Sequence, residues 1–209
     1  MATLADLKTR IITETNRDDL SDTLATQLLT HIQRACEYYA DELFWFNSLV
    51  ANVVTVSHTA TVAIPVTFRR IDQVVLPAYF TEIQEKTLGN MPIGTIYGVP
   101  NCYAYYNDTL TFYPIPNAVY TLELTGLAQI DAPVAAGDTS VWTDEAQDLI
   151  VSRAKMTLYR DQFRDPEGTQ MAIGATQEHF AKLKRETAKR LETKLTGRAA
   201  RRRYNIYVE

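Results

Sequence analysis

The sequence is poor in the residues from which active sites are built. Its two cysteines, Cys36 and Cys102, form no CxxC pair and are too few for a disulfide framework. Two core thiols are the expectation. Its three histidines, His31, His58 and His179, fall in different segments with no HExxH or related spacing. His31 reads as a helix-surface or half-buried residue. No GxSxG, P-loop or GxGxxG occurs. Asp18, Asp19 and Asp22 match no EF-hand spacing and suit helix capping instead. Asp41-Glu42 and Asp144-Glu145 are adjacent pairs, which point apart on a helix and make poor acid/base dyads. The expectation is a non-enzymatic protein with no catalytic residues, no metal and no cofactor. No apolar run approaches the roughly 20 residues that cross a bilayer. Met1 to Lys8 holds no apolar segment of the signal-peptide type. Manufacture and use in a cytosol, or in a particle assembled there, without membrane contact, is the expectation. Internal repeats and low-complexity segments are absent.

What is present is a chain of 209 residues with an ordinary apolar fraction, enough for one full core or one core plus an extension. Its net charge of −4 hides an asymmetry. Residues 1–181 carry 11 basic and 22 acidic side chains, and residues 182–209 carry 10 basic and 3 acidic. An acidic body with a basic C-terminal arm is a partner-binding pattern.

The first helix is expected from Thr3, whose hydroxyl can cap the free amides with Asp6 three residues on. Leu4, Leu7 and Ile11 give its apolar stripe. After Asn16-Arg17-Asp18-Asp19 a longer helix follows, capped by Asp19 or Ser21. Leu24, Leu28, Ile32, Ala35, Tyr39 and Leu43 recur at helical spacing, and it is expected to run to the cluster Phe44, Trp45 and Phe46. That aromatic cluster is the candidate centre of the core.

Val54 and Val56, then Val62 and Ile64, alternate about Ser57-His58-Thr59 and suggest a hairpin. Arg69 to Leu76 reads as a strand, Thr81 to Leu88 as a short helix stopped by Gly89, and 89–100 as a loop. Pro100 to Leu124 is the most informative stretch. Asn107-Asp108 suits a two-residue turn between strands, because Asn and Asp tolerate positive φ. Pro114 and Pro116 stop the second strand by removing donors. Tyr120, Leu122 and Leu124 alternate with polar residues in a third strand. Tyr103, Tyr105, Tyr113 and Tyr120 read as sheet and interface packing, with base stacking on an exposed sheet as the alternative.

Helical spacing returns from Thr143 through Ala146, Leu149, Ile150, Ala154 and Leu158. Asp165-Pro166-Glu167-Gly168 reads as a break, with Pro166 in the first turn of a last helix. That helix has Met171, Ala175, Phe180 and Leu183 as apolar positions and ends near Leu195, with Gly197 as its stop. The order of elements gives an α+β protein. Its parts are N-terminal helices over 1–48, a β-rich insertion over 49–130, C-terminal helices over 140–196 and an extended basic tail over 197–209. In that tail Arg201, Arg202 and Arg203 precede Tyr204, Ile206, Tyr207 and Val208. Alternation of Tyr204, Ile206 and Val208 suits an extended segment that docks on a partner.

Four pieces together carry a family resemblance. They are Thr3-Leu-Ala-Asp-Leu-Lys-Thr-Arg-Ile, Ala35 through Phe44-Trp45-Phe46-Asn47, Val62-Ala-Ile-Pro through Val74, and Pro100-Asn-Cys-Tyr through Tyr113-Pro-Ile-Pro to Tyr120-Thr-Leu. In order and spacing they resemble the head-to-tail adaptor (connector) proteins of tailed bacteriophages, over roughly residues 1–185. Asn107-Asp108 stands where a Gly-containing turn is usual, and the basic tail lies outside the shared pattern. The resemblance implies an antiparallel, up-and-down helical bundle with an inserted small antiparallel β-domain and an extended C-terminal arm. It also implies a ring of about twelve copies beneath the portal protein, joined to a downstream tail or nozzle protein. Genomic DNA would pass through the channel without sequence-specific binding. The setting would be the head–tail interface of a virion assembled in the host cytoplasm. On this reading Lys189, Arg190, Lys194, Arg198, Arg201, Arg202, Arg203, Tyr204, Ile206, Tyr207 and Val208 are the expected portal contacts. The alternatives are a DNA-binding packaging or processing factor that uses the basic arm, and a tail-tube or tail-hub subunit.

Overall fold

A computed structural model of the chain describes residues 1–15, 22–65 and 67–204, with the backbone alone for 22–25 and 192–204. It divides into a helical unit, Met1–Phe46 with Ile130–Glu209, and a β unit, Asn47–Gln129. The protein is thus mixed α+β.

In the helical unit, α1 (Leu4–Thr15) starts with a reciprocal cap. Thr3 N–H donates to Asp6 Oδ2 at 2.8 Å, and Asp6 N–H donates to Thr3 Oγ1 at 3.2 Å. Leu4, Leu7 and Ile11 are fully buried, as their spacing predicts. The second helix, α2 (Asp22–Tyr39), is shorter than its periodicity suggests. The caps assigned to Asp19 or Ser21 lie outside the described residues. Instead of reaching Phe46, α2 ends at Tyr39, where Ala40 N–H bonds Glu37 O and Glu42 N–H bonds Tyr39 O, both at 3.1 Å. These tight bonds close the last turn. They release Phe44, Trp45 and Phe46 from a single helix face.

The chain re-enters the unit through α3 (Val141–Glu145) and α4 (Gln147–Leu158). The helix start lies at Val141 and not at Thr143, because Thr143 Oγ1 reaches back to accept the Ser140 N–H at 3.0 Å. A π-helical turn, Tyr159–Phe163, and Arg164 in the left-handed region (φ 50°) reverse the chain. Asp165 Oδ1 then accepts the N–H groups of Glu167 and Gly168, each at 3.1 Å, and opens α5 (Pro166–Tyr204). The expected stop at Gly197 and the extended tail behind it are overturned as far as Tyr204, because α5 continues through them. A lone helical glycine costs only about 1 kcal/mol against alanine, and the Ala and Arg residues after it are strong helix formers. Residues 205–209 lie outside the described residues. The buried stripe of α5 also differs from the apolar reading. Ala172, Thr176, Leu183 and Thr187 are buried while Met171 is exposed. Threonine is tolerated there because Thr176 Oγ1 and Thr187 Oγ1 donate to Ala172 O and Leu183 O at 2.7 and 2.8 Å.

At the centre, Leu149, Ile150, Ala154 and Leu158 of α4 are fully buried, and α4 packs against α1, α2 and α5. His31 is buried as well, at 3% exposure, not half-exposed as its sequence position suggests. Its Nδ1 lies 2.9 Å from Thr157 Oγ1, and burial pushes its pKa down. A charge network ties α1 to α4. Arg10 bonds Glu14 at 2.6 Å and Asp148 at 2.7 Å, and Lys155 bonds Glu14 at 2.9 Å.

The β unit contains β1 (Ser48–Val54), β2 (Thr61–Ala63), β3 (Phe68–Leu76), β4 (Thr81–Glu85), β5 (Tyr97–Gly98), β6 (Cys102–Tyr106), β7 (Thr109–Tyr113), β8 (Ile115–Pro116) and β9 (Thr121–Ala128). Seven form a curled sheet in the order β1-β9-β3-β4-β6-β7-β2, and β5 pairs with β8. Asn107 and Asp108 sit at φ 49° and 54°, the two-residue turn their chemistry predicts, and β6 pairs with β7 across it.

Three expectations fail here. Residues 49–66 form no hairpin, because β1 pairs with β9 and β2 with β7. The segment from Thr81 is a strand, not a helix. It sits between β3 and β6 and buries Ile83 alone. The sheet is not wholly antiparallel, because β4 runs parallel to β6. Residues 86–101 supply the crossover of a dozen or more residues that a parallel pair requires. The inner face of the sheet buries Val74, Leu76, Tyr103, Leu110, Phe112, Leu122 and Leu124.

In β9, Gly126 faces the bulged part of β3, where the register slips between Phe68 and Arg70 and again between Ile71 and Gln73. A Cβ at Gly126 would lie 2.0 Å from the Arg70 carbonyl oxygen. That atom is backbone and cannot turn aside, so Gly126→Ala is expected to lower unfolding stability by ~3 kcal/mol or more, read by denaturant titration.

The network on α1 supplies a second prediction. Burial works against the Glu14 carboxylate, but the bonds from Arg10 and Lys155 outweigh it and hold its pKa below the ordinary value. Asp148 is held low first by its bond from Arg10. A depressed folded pKa contributes stability above the unfolded pKa and loses it as pH falls through the folded one. Glu14→Gln is therefore expected to lower stability by ~0.5–1 kcal/mol at pH 7 and by much less at pH 3, since the partners are part-exposed.

Candidate partner-binding surface

The described residues offer little for catalysis. No group of three or more His, Cys, Asp or Glu among them could hold a metal ion. Cys36 is buried, and desolvation pushes its thiol up to about 12, so it is no nucleophile at neutral pH. Cys102 is buried too and donates its Sγ–H to Tyr113 O at 3.4 Å. A shallow cleft in the helical unit is lined by Asp144, Glu145, Asp148, His179, Lys182 and Glu186. Two of its four carboxylates are already engaged structurally. Asp144 accepts the Ala2 N–H at 2.9 Å, and Asp148 accepts from Arg10.

The cationic face of α5 is the more distinctive surface. Leu183 and Thr187 turn inward, which turns Lys182, Arg185, Lys189 and Arg190 outward. Lys184 sits at the boundary. Its ammonium donates to Glu42 at 2.5 Å and to Leu43 O at 3.3 Å, and lies 5.3 Å from the ring centroids of both Phe44 and Phe180. Those rings belong to a continuous aromatic group. Phe44 is fully buried and stacks on Phe46 at 5.2 Å, and both meet Trp142 edge-on. Trp45 is only partly buried, and the Arg190 guanidinium covers its ring at 4.2 Å. Elsewhere in the unit Arg153 lies 3.6 Å from the centre of the exposed Tyr38 ring.

The expected contact residues therefore fall into three groups. Lys189 and Arg190 stand on the described face of α5, with Arg190 held on Trp45. Lys194, Arg198, Arg201, Arg202, Arg203 and Tyr204 belong to the same helix by its backbone. Positions 190, 194, 198 and 201 follow at steps of four, four and three, so they share one side of it. Ile206, Tyr207 and Val208 lie outside the described residues. The pairings of Trp45 with Arg190 and of Glu42 with Lys184 are tertiary and leave no signal in local spacing.

A second surface was not expected from the sequence. Residues 87–107 contain no Asp, Glu, Lys or Arg. The connection before β6 exposes Leu88, Ile93, Ile96, Tyr97 and Val99 to solvent. The absence of charge is the signal that marks it. On the adjoining hairpin Tyr105 and Tyr106 are exposed, but Tyr105 donates its hydroxyl to Asp108 at 2.9 Å, which raises its pKa.

The profile of the SU10 adaptor protein family matches residues 2–205, nearly the whole chain. No curated protein matches it.

Lys184→Met keeps the aliphatic stem against Phe44 and Phe180 but removes the bonds to Glu42 and Leu43 O. Stability is expected to fall by about 1 kcal/mol, because the side chain is part-exposed. Phe44→Ala, which empties a fully buried site, is expected to cost about 3–5 kcal/mol. Denaturant unfolding of the two variants side by side measures both.

Proposed function

Because the chain belongs to the SU10 adaptor protein family, we propose that it is a structural virion protein, a head-to-tail adaptor that joins the portal vertex of a tailed phage to its tail. Copies of the chain form a ring, about twelve to match the portal, and genomic DNA crosses its channel. The N-terminal helices (1–48) and C-terminal helices (140–196) make up the bundle of each subunit, and the β-rich insertion (49–130) faces the next tail component. Contact of α4 with α1, α2 and α5 supports that bundle.

The division of charge carries the reading. An acidic body repels DNA, so the duplex slides through the channel instead of sticking. The basic end of α5, from Lys189 and Arg190 through Lys194, Arg198 and Arg201 to Arg203, meets the portal. Tyr204, Ile206, Tyr207 and Val208 extend that contact. α5 is helical to Tyr204, so the backbone that carries the positions from Lys189 to Arg203 is a rod and not an extended strand.

A DNA-binding role in packaging is the competing reading, and the exposed Tyr105 and Tyr106 favour it as stacking platforms. The Asp108 carboxylate bonded to Tyr105 would oppose a phosphate beside that ring.

Removal of residues 197–209 is expected to abolish binding to the cognate portal protein while helical content and unfolding of the body persist. Imaging and sizing of the mixture measure this. A truncated protein that still caps the portal would refute the arm assignment. Micromolar DNA binding with a steep salt slope would instead support the packaging role.

A further inference from the structure

The sheet has two open edges, and only one is protected. β2 is three residues long and is followed at once by Ile64 and Pro65, the short, proline-bounded form that keeps an edge from pairing. β1 has seven residues and none of these devices. Residues 43–68 contain no Asp, Glu, Lys or Arg. The direction of its backbone groups follows from the ladder with β9. Thr55 N–H donates to Tyr120 O at 2.9 Å and Ala128 N–H donates to Asn47 O at 2.7 Å. With Ser48 opposite Leu127 and Val54 opposite Thr121, the odd-numbered residues of β1 therefore bond β9. Ser48, Val50, Asn52 and Val54 turn their N–H and C=O groups outward, and among the described residues nothing pairs with them. The side chains of Val50, Val54 and Val56 are 47%, 53% and 60% exposed.

We propose that this edge pairs antiparallel with the β1 edge of a second copy of the chain, across a two-fold axis at Asn52. The pattern on the edge argues for a copy over any other strand. Outward-bonding residues read Val50, Asn52, Val54, the same in both directions. Centred on Asn52, the two strands set each Val50 beside the other copy's Val54 and Asn52 beside Asn52, with Ser48 beside Val56. Paired β-branched side chains flanking a central amide pair are favourable cross-strand neighbours. The contact is isologous, so it closes at two copies. It also suits a chain of net negative charge, because neither strand brings a charged side chain to the contact. The one charged residue opposite β1 is Glu123, across from Asn52 and one strand further in. In the pair the two Glu123 residues lie three strand spacings apart, about 14 Å. The pairing concerns the free protein and stands apart from its role in a virion.

Sedimentation velocity of the full chain, from about 1 to about 100 µM, is expected to show mass doubling with concentration. Val54→Lys, at an exposed site, is expected to abolish the doubling while leaving the circular dichroism and unfolding midpoint unchanged. Asn52→Cys is expected to form a disulfide-linked dimer on mild oxidation, since Cys36 and Cys102 are buried. Val56→Cys, whose partner is Ser48, is expected not to link to itself. A protein that stays monomeric, a dimer or larger ring that survives Val54→Lys, or a failure of Asn52→Cys to cross-link would each overturn the proposal. So would a Val54→Lys protein of unchanged mass that loses only its binding to portal, because the edge would then serve a different chain.

Discussion

A helix buried on every side must be covered from every side, and α4 is such a helix. Leu149, Ile150, Val151, Ala154, Met156 and Leu158 lie all round the helix and are buried, with part-exposed polar residues such as Asp148 and Lys155 between them. Burying these side chains is worth about 1.5–3 kcal/mol for each large one, but only if α1, α2 and α5 are all in place. This explains why the cover arrives from distant parts of the chain. It also explains why the polar groups around α4 are matched. Arg10 and Lys155 meet Glu14 and Asp148 at one margin, and His31 meets Thr157 at another.

The sequence was legible wherever local chemistry decides the outcome. The Thr3–Asp6 cap, the Asn107-Asp108 turn, the start of α5 at Pro166 and the alternation of Leu122 and Leu124 all rest on neighbours within four residues. It misled wherever tertiary partners decide. β1 and β2 look like a hairpin, but β9 and β7 are their partners. Thr81 to Glu85 looks helical until β3 and β6 flank it. Gly197 looks like a stop because local rules do not weigh one glycine against the helix formers around it. On the candidate surface, the basic residues were legible and their company was not. Nothing near Trp45 announces Arg190, almost a hundred and fifty residues later.

The surfaces of the two units differ in kind. The helical unit presents charge, with Lys182, Arg185, Lys189 and Arg190 gathered on the outward face of α5. The β unit presents uncharged surface, on the β1 edge and on the connection before β6. Charged surfaces steer encounters and respond to salt, whereas uncharged apolar ones bind by area and do not. A family of structural adaptors has use for both, because a connector must find its partners and then hold them.

The bond from the Ala128 N–H to the Asn47 carbonyl has a consequence for how the chain tolerates change. It means that the chain enters and leaves the β unit on neighbouring strands, about 5 Å apart. A segment whose ends meet in this way can be lengthened, replaced or lost without changing the gap its host must bridge. The β unit therefore has the closed ends of a cassette, and a change in its length leaves the junction with the helices unaltered.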